Sequence, residues 1–159
     1  MPVNKTALAV FSLWMLDFLF LSGTGGLRLL VSPLLLFLIF IGFRLPSTRF
    51  LWAWGAGLGL LQDLATGGSF GAFACTYALV GWGLGGIRHM FEREDPLVQG
   101  VWAGILAGAA LLLYGLVVAW SDPAIGWHRW IWWMIPLTAI SNGVCAVYGF
   151  PRLQRFLRR

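Results

Sequence analysis

Few side chains in this chain are able to do chemistry, and most of those sit where water is scarce. Between positions 50 and 87 the only charge is Asp63. An acid at membrane depth is costly, so it is paired, solvated or functional. The run Leu64-Ala65-Thr66-Gly67-Gly68-Ser69-Phe70-Gly71 follows it and has turn-forming composition. Asp63 could accept backbone N–H bonds from that turn, cap the helix beyond it, or pair with Arg28 or Arg129. A proton or ion site is the sharper alternative. Relays need several ionisable groups within the membrane, however, and only Asp17 accompanies Asp63. Asn142 lies inside a long apolar run. It is expected to donate an interhelical hydrogen bond worth about 1 kcal/mol in lipid. Cys75 and Cys145 lack partners at metal-ligand spacing and are expected to be small buried packing residues. No Ser/His/Asp set, phosphate loop or paired carboxylates share a helix face. The expectation is therefore a non-enzymatic chain with no cofactor and no metal.

The elements that hold these residues follow from composition. Of 159 residues, 59% are hydrophobic and 11% charged, with a mean hydropathy of +0.80. Soluble domains carry about a quarter charged residues, and a chain this small cannot hide so much apolar surface from water. A soluble enzyme and a disordered chain are both excluded, and the expected solvent is a lipid bilayer. Charged and turn-forming residues mark six apolar segments at about 6–22, 29–43, 50–64, 69–87, 96–121 and 130–150, with a basic tail at 151–159. The first segment resembles a signal peptide in its Lys5 and apolar run. Asp17 and the lack of a small-x-small cleavage site favour a retained helix. A span takes about 20 helical residues. The second and third segments are short, which leaves a re-entrant pair open, although the charges favour full spans.

With six spans and both termini in the cytoplasm, Lys5, Arg44, Arg49, Arg88, Arg93, Arg152, Arg155, Arg158 and Arg159 fall inside, and only Arg28 and Arg129 fall outside. That is a strong positive-inside bias. It also puts His89 and His128 on opposite faces. Trp120, Trp127, Trp130, Trp132 and Trp133 gather around the last exterior loop, as an interfacial aromatic belt would. The expected architecture is thus a single all-α polytopic membrane domain with no affinity for nucleic acid.

Glycines suggest how the helices meet. Ten of the 21 glycines lie between Gly55 and Gly86. Gly55 and Gly59 are one helical step of four apart, and Gly100, Gly104 and Gly108 make two such steps. In lipid, small residues that let backbones approach are a main source of helix association. These glycines could pack the bundle internally or form a groove for a partner's transmembrane helix.

The run Gly59-Leu60-Leu61-Gln62-Asp63-Leu64, preceded by Gly55 and followed by Gly71, resembles the central signature of the rod shape-determining protein MreD family. Ser141-Asn142-Gly143, then Pro151 and a basic tail, is similar to that family's last helix. Asp17 and the two short segments depart from the resemblance. The resemblance implies a multi-pass protein of the bacterial cytoplasmic (inner) membrane, with a fold like the substrate-binding subunits of energy-coupling-factor transporters. It implies a non-enzymatic scaffold of the cell-wall elongation machinery. Such a scaffold binds the bitopic protein MreC and works beside MreB, RodA and the latter's penicillin-binding transpeptidase partner. On that reading Gly55, Gly59, Gly100, Gly104 and Gly108 would line the MreC groove. Gly59, Asp63, Gly71 and Asn142 would be structural, and Arg152, Arg155, Arg158 and Arg159 would meet anionic lipid or an acidic cytoplasmic partner. The alternative is a vitamin-binding subunit of an energy-coupling-factor type transporter, with polar groups such as Asp17, Asp63 and Asn142 lining an exterior pocket.

Overall fold

The computed structural model describes residues 8, 10–13, 15, 31–44, 50–66, 70–87, 95–121 and 130–158. Helix α1 is described at residues 8, 10–13 and 15. It is followed by α2 (Pro33–Arg44), α3 (Leu51–Thr66), α4 (Ala72–Ile87), α5 (Pro96–Ser121) and α6 (Trp130–Arg158). No strand occurs among the described residues.

Local chemistry explains two of the helix starts. Ser32 and Asp95 each precede a proline, Pro33 or Pro96, at the first helical position, where a missing N–H costs nothing. The Leu36 N–H reaches the Ser32 carbonyl at 3.0 Å. The Asp95 carboxylate accepts the Leu97 N–H at 2.9 Å in the manner of an N-cap.

The helices assemble as two antiparallel hairpins around a central element. Helix α3 packs most extensively on α4, and α5 on α6, while α2 touches all four. Ten of the twelve residues of α2 are buried, which suits a helix that is apolar on every side. Phe40 and Phe43 meet Phe150 of α6 ring to ring, with centroids 5.4 and 6.3 Å apart. The guanidinium of Arg44 lies 5.8 Å from the Phe40 ring centroid. It donates to Gln154 Oε1 at 2.5 Å, tying the end of α2 to the end of α6.

Among the described residues two helices, α5 and α6, are long and apolar enough to cross a membrane. At 1.5 Å per residue, 26 and 29 residues exceed a hydrocarbon core of about 30 Å. Only 39% of the spanning window in α5, and 22% of that in α6, is buried within the chain. The core helix of a water-soluble globule would be mostly buried. Large apolar side chains stand outward around the bundle, with Trp120 91%, Trp133 80% and Trp82 74% exposed. The fold is compatible with a helical membrane protein.

Several details differ from expectation. Helix α2 has 12 residues, about 18 Å of helix, and lies in the middle of the bundle. Its low charge and short length reflect that central position. Helix α3 extends to Thr66, past Asp63, and α4 starts at Ala72 rather than near position 69. Pro151 does not open a separate tail, because α6 runs through both Pro136 and Pro151 to Arg158. A helix through proline forgoes one backbone bond, whereas unwinding would expose several groups. Cys75 and Cys145 are exposed rather than buried, on outward faces shared with Leu79 and Tyr148.

Candidate functional site

Asp63 is 3% exposed and sits in the penultimate turn of α3. Its Oδ2 accepts the N–H of Gly71 at 3.0 Å and that of Ala74 at 3.1 Å, and its Oδ1 accepts the N–H of Phe73 at 3.0 Å. The first turn of a helix leaves its N–H groups without intrahelical acceptors. Gly71 occupies the cap position of α4, where its carbonyl accepts the Cys75 N–H at 2.9 Å, but it has no side chain to satisfy the others. Asp63 supplies that capping group from the preceding helix. Its charge also faces the positive end of the α4 dipole. Of the roles open from sequence, the turn-and-cap arrangement is present among the described residues. Arg28, Arg129, Asp17, His89 and His128 lie outside the described residues.

Gly71 has φ +93°, a conformation that side-chain-bearing residues rarely adopt. A Cβ there would meet nothing within 4 Å, so the constraint is conformational and not one of space. Gly71→Ala is expected to destabilise the chain by about 1 kcal/mol, seen as a lower melting temperature in detergent with unchanged membrane insertion.

Gly59 faces the start of α4 so closely that a Cβ would lie 2.5 Å from Ala74 Cα. Gly55 is likewise set against the Tyr77 carbonyl and Gly81 against that of Leu51. These contacts recur every four residues in opposite directions along α3 and α4, so the two backbones touch along one seam. Gly59, Asp63 and Gly71 therefore all serve one hairpin.

The second hairpin uses the same device. A Cβ on Gly104 would lie 2.5 Å from the Ala139 carbonyl oxygen, and a Cβ on Gly143 would lie 3.0 Å from the Gly100 carbonyl oxygen. Gly100 faces Val147, and Gly108 faces Ala139 and Ile135. The expectation of a partner-helix groove lined by Gly55, Gly59, Gly100, Gly104 and Gly108 is corrected by this arrangement. All five are buried against helices of the same chain, and no open groove remains along them.

Asn142 is fully buried. Its Nδ2 donates to the Thr138 carbonyl at 2.8 Å within α6. Its Oδ1 accepts the Ser32 N–H at 3.2 Å, so the amide also takes a bond from the residue that opens α2. Ser32 Oγ and Tyr77 OH are 2.5 Å apart. Ser32 thus joins the start of α2 to both α4 and α6.

Around this junction lies a polar cavity of about 40 Å³, bounded by Ser32, Gln62, Thr76, Tyr77, Tyr114, Thr138 and Asn142 among apolar neighbours. Phe73 stacks on Tyr114 beside it, with centroids 4.3 Å apart. Sequence inspection did not single out Ser32, Gln62, Thr76, Tyr77, Tyr114 or Thr138. The available signal was that these polar residues lie toward the same end of five apolar segments, Thr76 and Tyr77 sharing one. Among the described residues no three His, Cys, Asp or Glu side chains gather as a metal would need.

At the other end, Arg152 and Arg155 are exposed on the last turns of α6, and Arg152 donates to the Tyr148 carbonyl at 3.2 Å. Arg158 belongs to the same helix, and Arg159 lies outside the described residues. Compared with protein-family models, with curated proteins and with solved structures, the chain matches none of them.

Proposed function

We propose that this chain is a non-enzymatic scaffold of the bacterial cell-wall elongation machinery, similar to the MreD family, in the cytoplasmic membrane with both termini inside. The observation that carries the proposal is the α3–α4 hairpin. The residues of the family resemblance, Gly59, Asp63 and Gly71, have three complementary duties there: close approach, capping and a left-handed turn. A motif devoted to rigidity, with its carboxylate fully engaged by backbone, fits a shape-bearing platform better than a transport or proton site.

MreC would dock on an outward face, since the glycine seams are closed within the chain. The exposed arginines Arg152 and Arg155 suit anionic lipid, at about 1 kcal/mol each near the surface, or an acidic cytoplasmic segment. Beside MreC the assembly would include MreB, RodA and the penicillin-binding transpeptidase. A vitamin-binding subunit would need a pocket of solute size at the Asp63 end. The polar cavity there, about 40 Å³, has room for only a few water molecules.

Depletion of the protein in a rod-shaped bacterium that carries it tests the reading. Rounded cells, together with co-purification of MreC from the membrane fraction, are the expected result. Normal cell shape with a new nutrient requirement would reject the scaffold in favour of the transporter subunit.

A further inference from the structure

We propose that the polar cavity is a water-binding site, in which an ordered cluster donates a hydrogen bond to Gln62 Oε1 and bridges the α3–α4 hairpin to the α5–α6 hairpin. Gln62 is 4% exposed, lines the cavity, and its Oε1 has no hydrogen-bond partner. A carbonyl so deeply buried needs a donor, and several of the neighbouring polar groups already have bonds to other partners. Thr76 donates to the Ala72 carbonyl at 2.8 Å. Ser32 Oγ and Tyr77 OH share one bond, and the Asn142 amide is held between Thr138 and Ser32.

The chemistry of the walls selects the ligand. No lining side chain is charged, and both carboxyl oxygens of nearby Asp63 are taken up by backbone N–H groups. A neutral donor is therefore matched and an ion is not. A volume of about 40 Å³ accommodates about three or four waters, since one water needs roughly 10–15 Å³ on this measure. Several hydroxyl and amide groups around the wall provide the two to four polar partners that a buried water requires.

Position gives the site its consequence. Helix α3 packs chiefly on α4 and α2, whereas the cavity is walled by Gln62 of α3 together with Tyr114 of α5 and Thr138 of α6. Water there supplies a polar link between the two hairpins at the end where α2 begins.

The test uses the full chain in lipid nanodiscs with glutamine side chains labelled with nitrogen-15. The Gln62 signals are assigned by their loss in Gln62→Met. Rotating-frame cross-relaxation between water and the Gln62 side-chain protons is expected, with the sign that separates it from proton exchange. Its absence would overturn the proposal. Gln62→Met keeps the side chain's length but removes the acceptor. A melting temperature lowered by several degrees is expected if hydrating water is lost. A raised melting temperature would mean that a dry, unpaired carbonyl had been relieved, and would overturn the bridging role. Should Gln62→Met fail to fold, assignment through a backbone-linked experiment leaves the water measurement on the unmodified chain decisive.

Discussion

Asp63→Ala is expected to cause the deepest loss of stability of any single polar substitution in the bundle. The change removes both acceptors from three backbone N–H groups, those of Gly71, Phe73 and Ala74. No side chain at the cap position can replace them, because that position is Gly71. Loss of an N-cap costs about 0.5–2 kcal/mol, and a buried donor left unpaired costs about 1–3 kcal/mol. The combined effect is about 2–4 kcal/mol once some of the groups find water. Asp63→Asn should fall between the alanine variant and the parent. Its amide keeps one oxygen but turns an NH₂ toward groups that themselves donate. The check is thermal denaturation in detergent, with the three proteins compared at equal lipid content. Equal melting temperatures for the parent and Asp63→Ala would show that the cap is not what fixes the start of α4. Loss of the proposed MreC binding from a fully stable Asp63→Ala protein would assign Asp63 to a partner contact instead.

How far this arrangement could be read from the sequence depends on what a bilayer, the proposed solvent of the chain, leaves visible. Helix α5 occupies Pro96–Ser121 as expected, because the Asp95-Pro96 pair states its start in terms of capping chemistry. The inward character of Asp63 and Asn142 was also legible, since lipid offers polar groups no alternative to the bundle interior. Apolar residues carry no such mark. Lipid tails and neighbouring helices are equally apolar, so Cys75 and Cys145 could as readily face outward as inward, and outward is where they lie. The same degeneracy hid the role of α2. A short apolar run bounded by arginines reads as a marginal span, and nothing in its hydropathy says that four other helices surround it. Glycine spacing revealed that helices approach closely but not which helices. The partners of Gly55 and Gly104 lie on the adjoining segment of the same chain. Pro151 misled for a related reason, because its breaking power is judged against a chain in water, where freed carbonyls find solvent.

A pair of substitutions two residues apart on α3 separates close packing from the general preference of helices for alanine. A methyl group added at Gly57 would meet nothing within 4 Å, whereas Gly55 is pressed against the backbone of Tyr77 and Ala78. In an exposed helix interior, glycine is less favourable than alanine by about 0.8–1.0 kcal/mol. Gly57→Ala should therefore stabilise the chain by up to about 1 kcal/mol. Gly55→Ala would gain the same backbone term, yet its methyl must displace a carbonyl that already serves α4. The hairpin seam has no flexible side chain to move aside, so α3 and α4 must separate. Overpacking of this kind costs about 1–3 kcal/mol, and the Asp63 cap on the same seam would be strained with it. The two variants should thus shift the melting temperature in opposite directions. Gly55→Leu should exaggerate the loss, while Gly57→Leu, facing outward, should remain close to the parent. If Gly55→Ala were as stable as Gly57→Ala, α3 and α4 could not be in backbone contact. The seam would then be open, and a partner's helix could again be considered as its occupant.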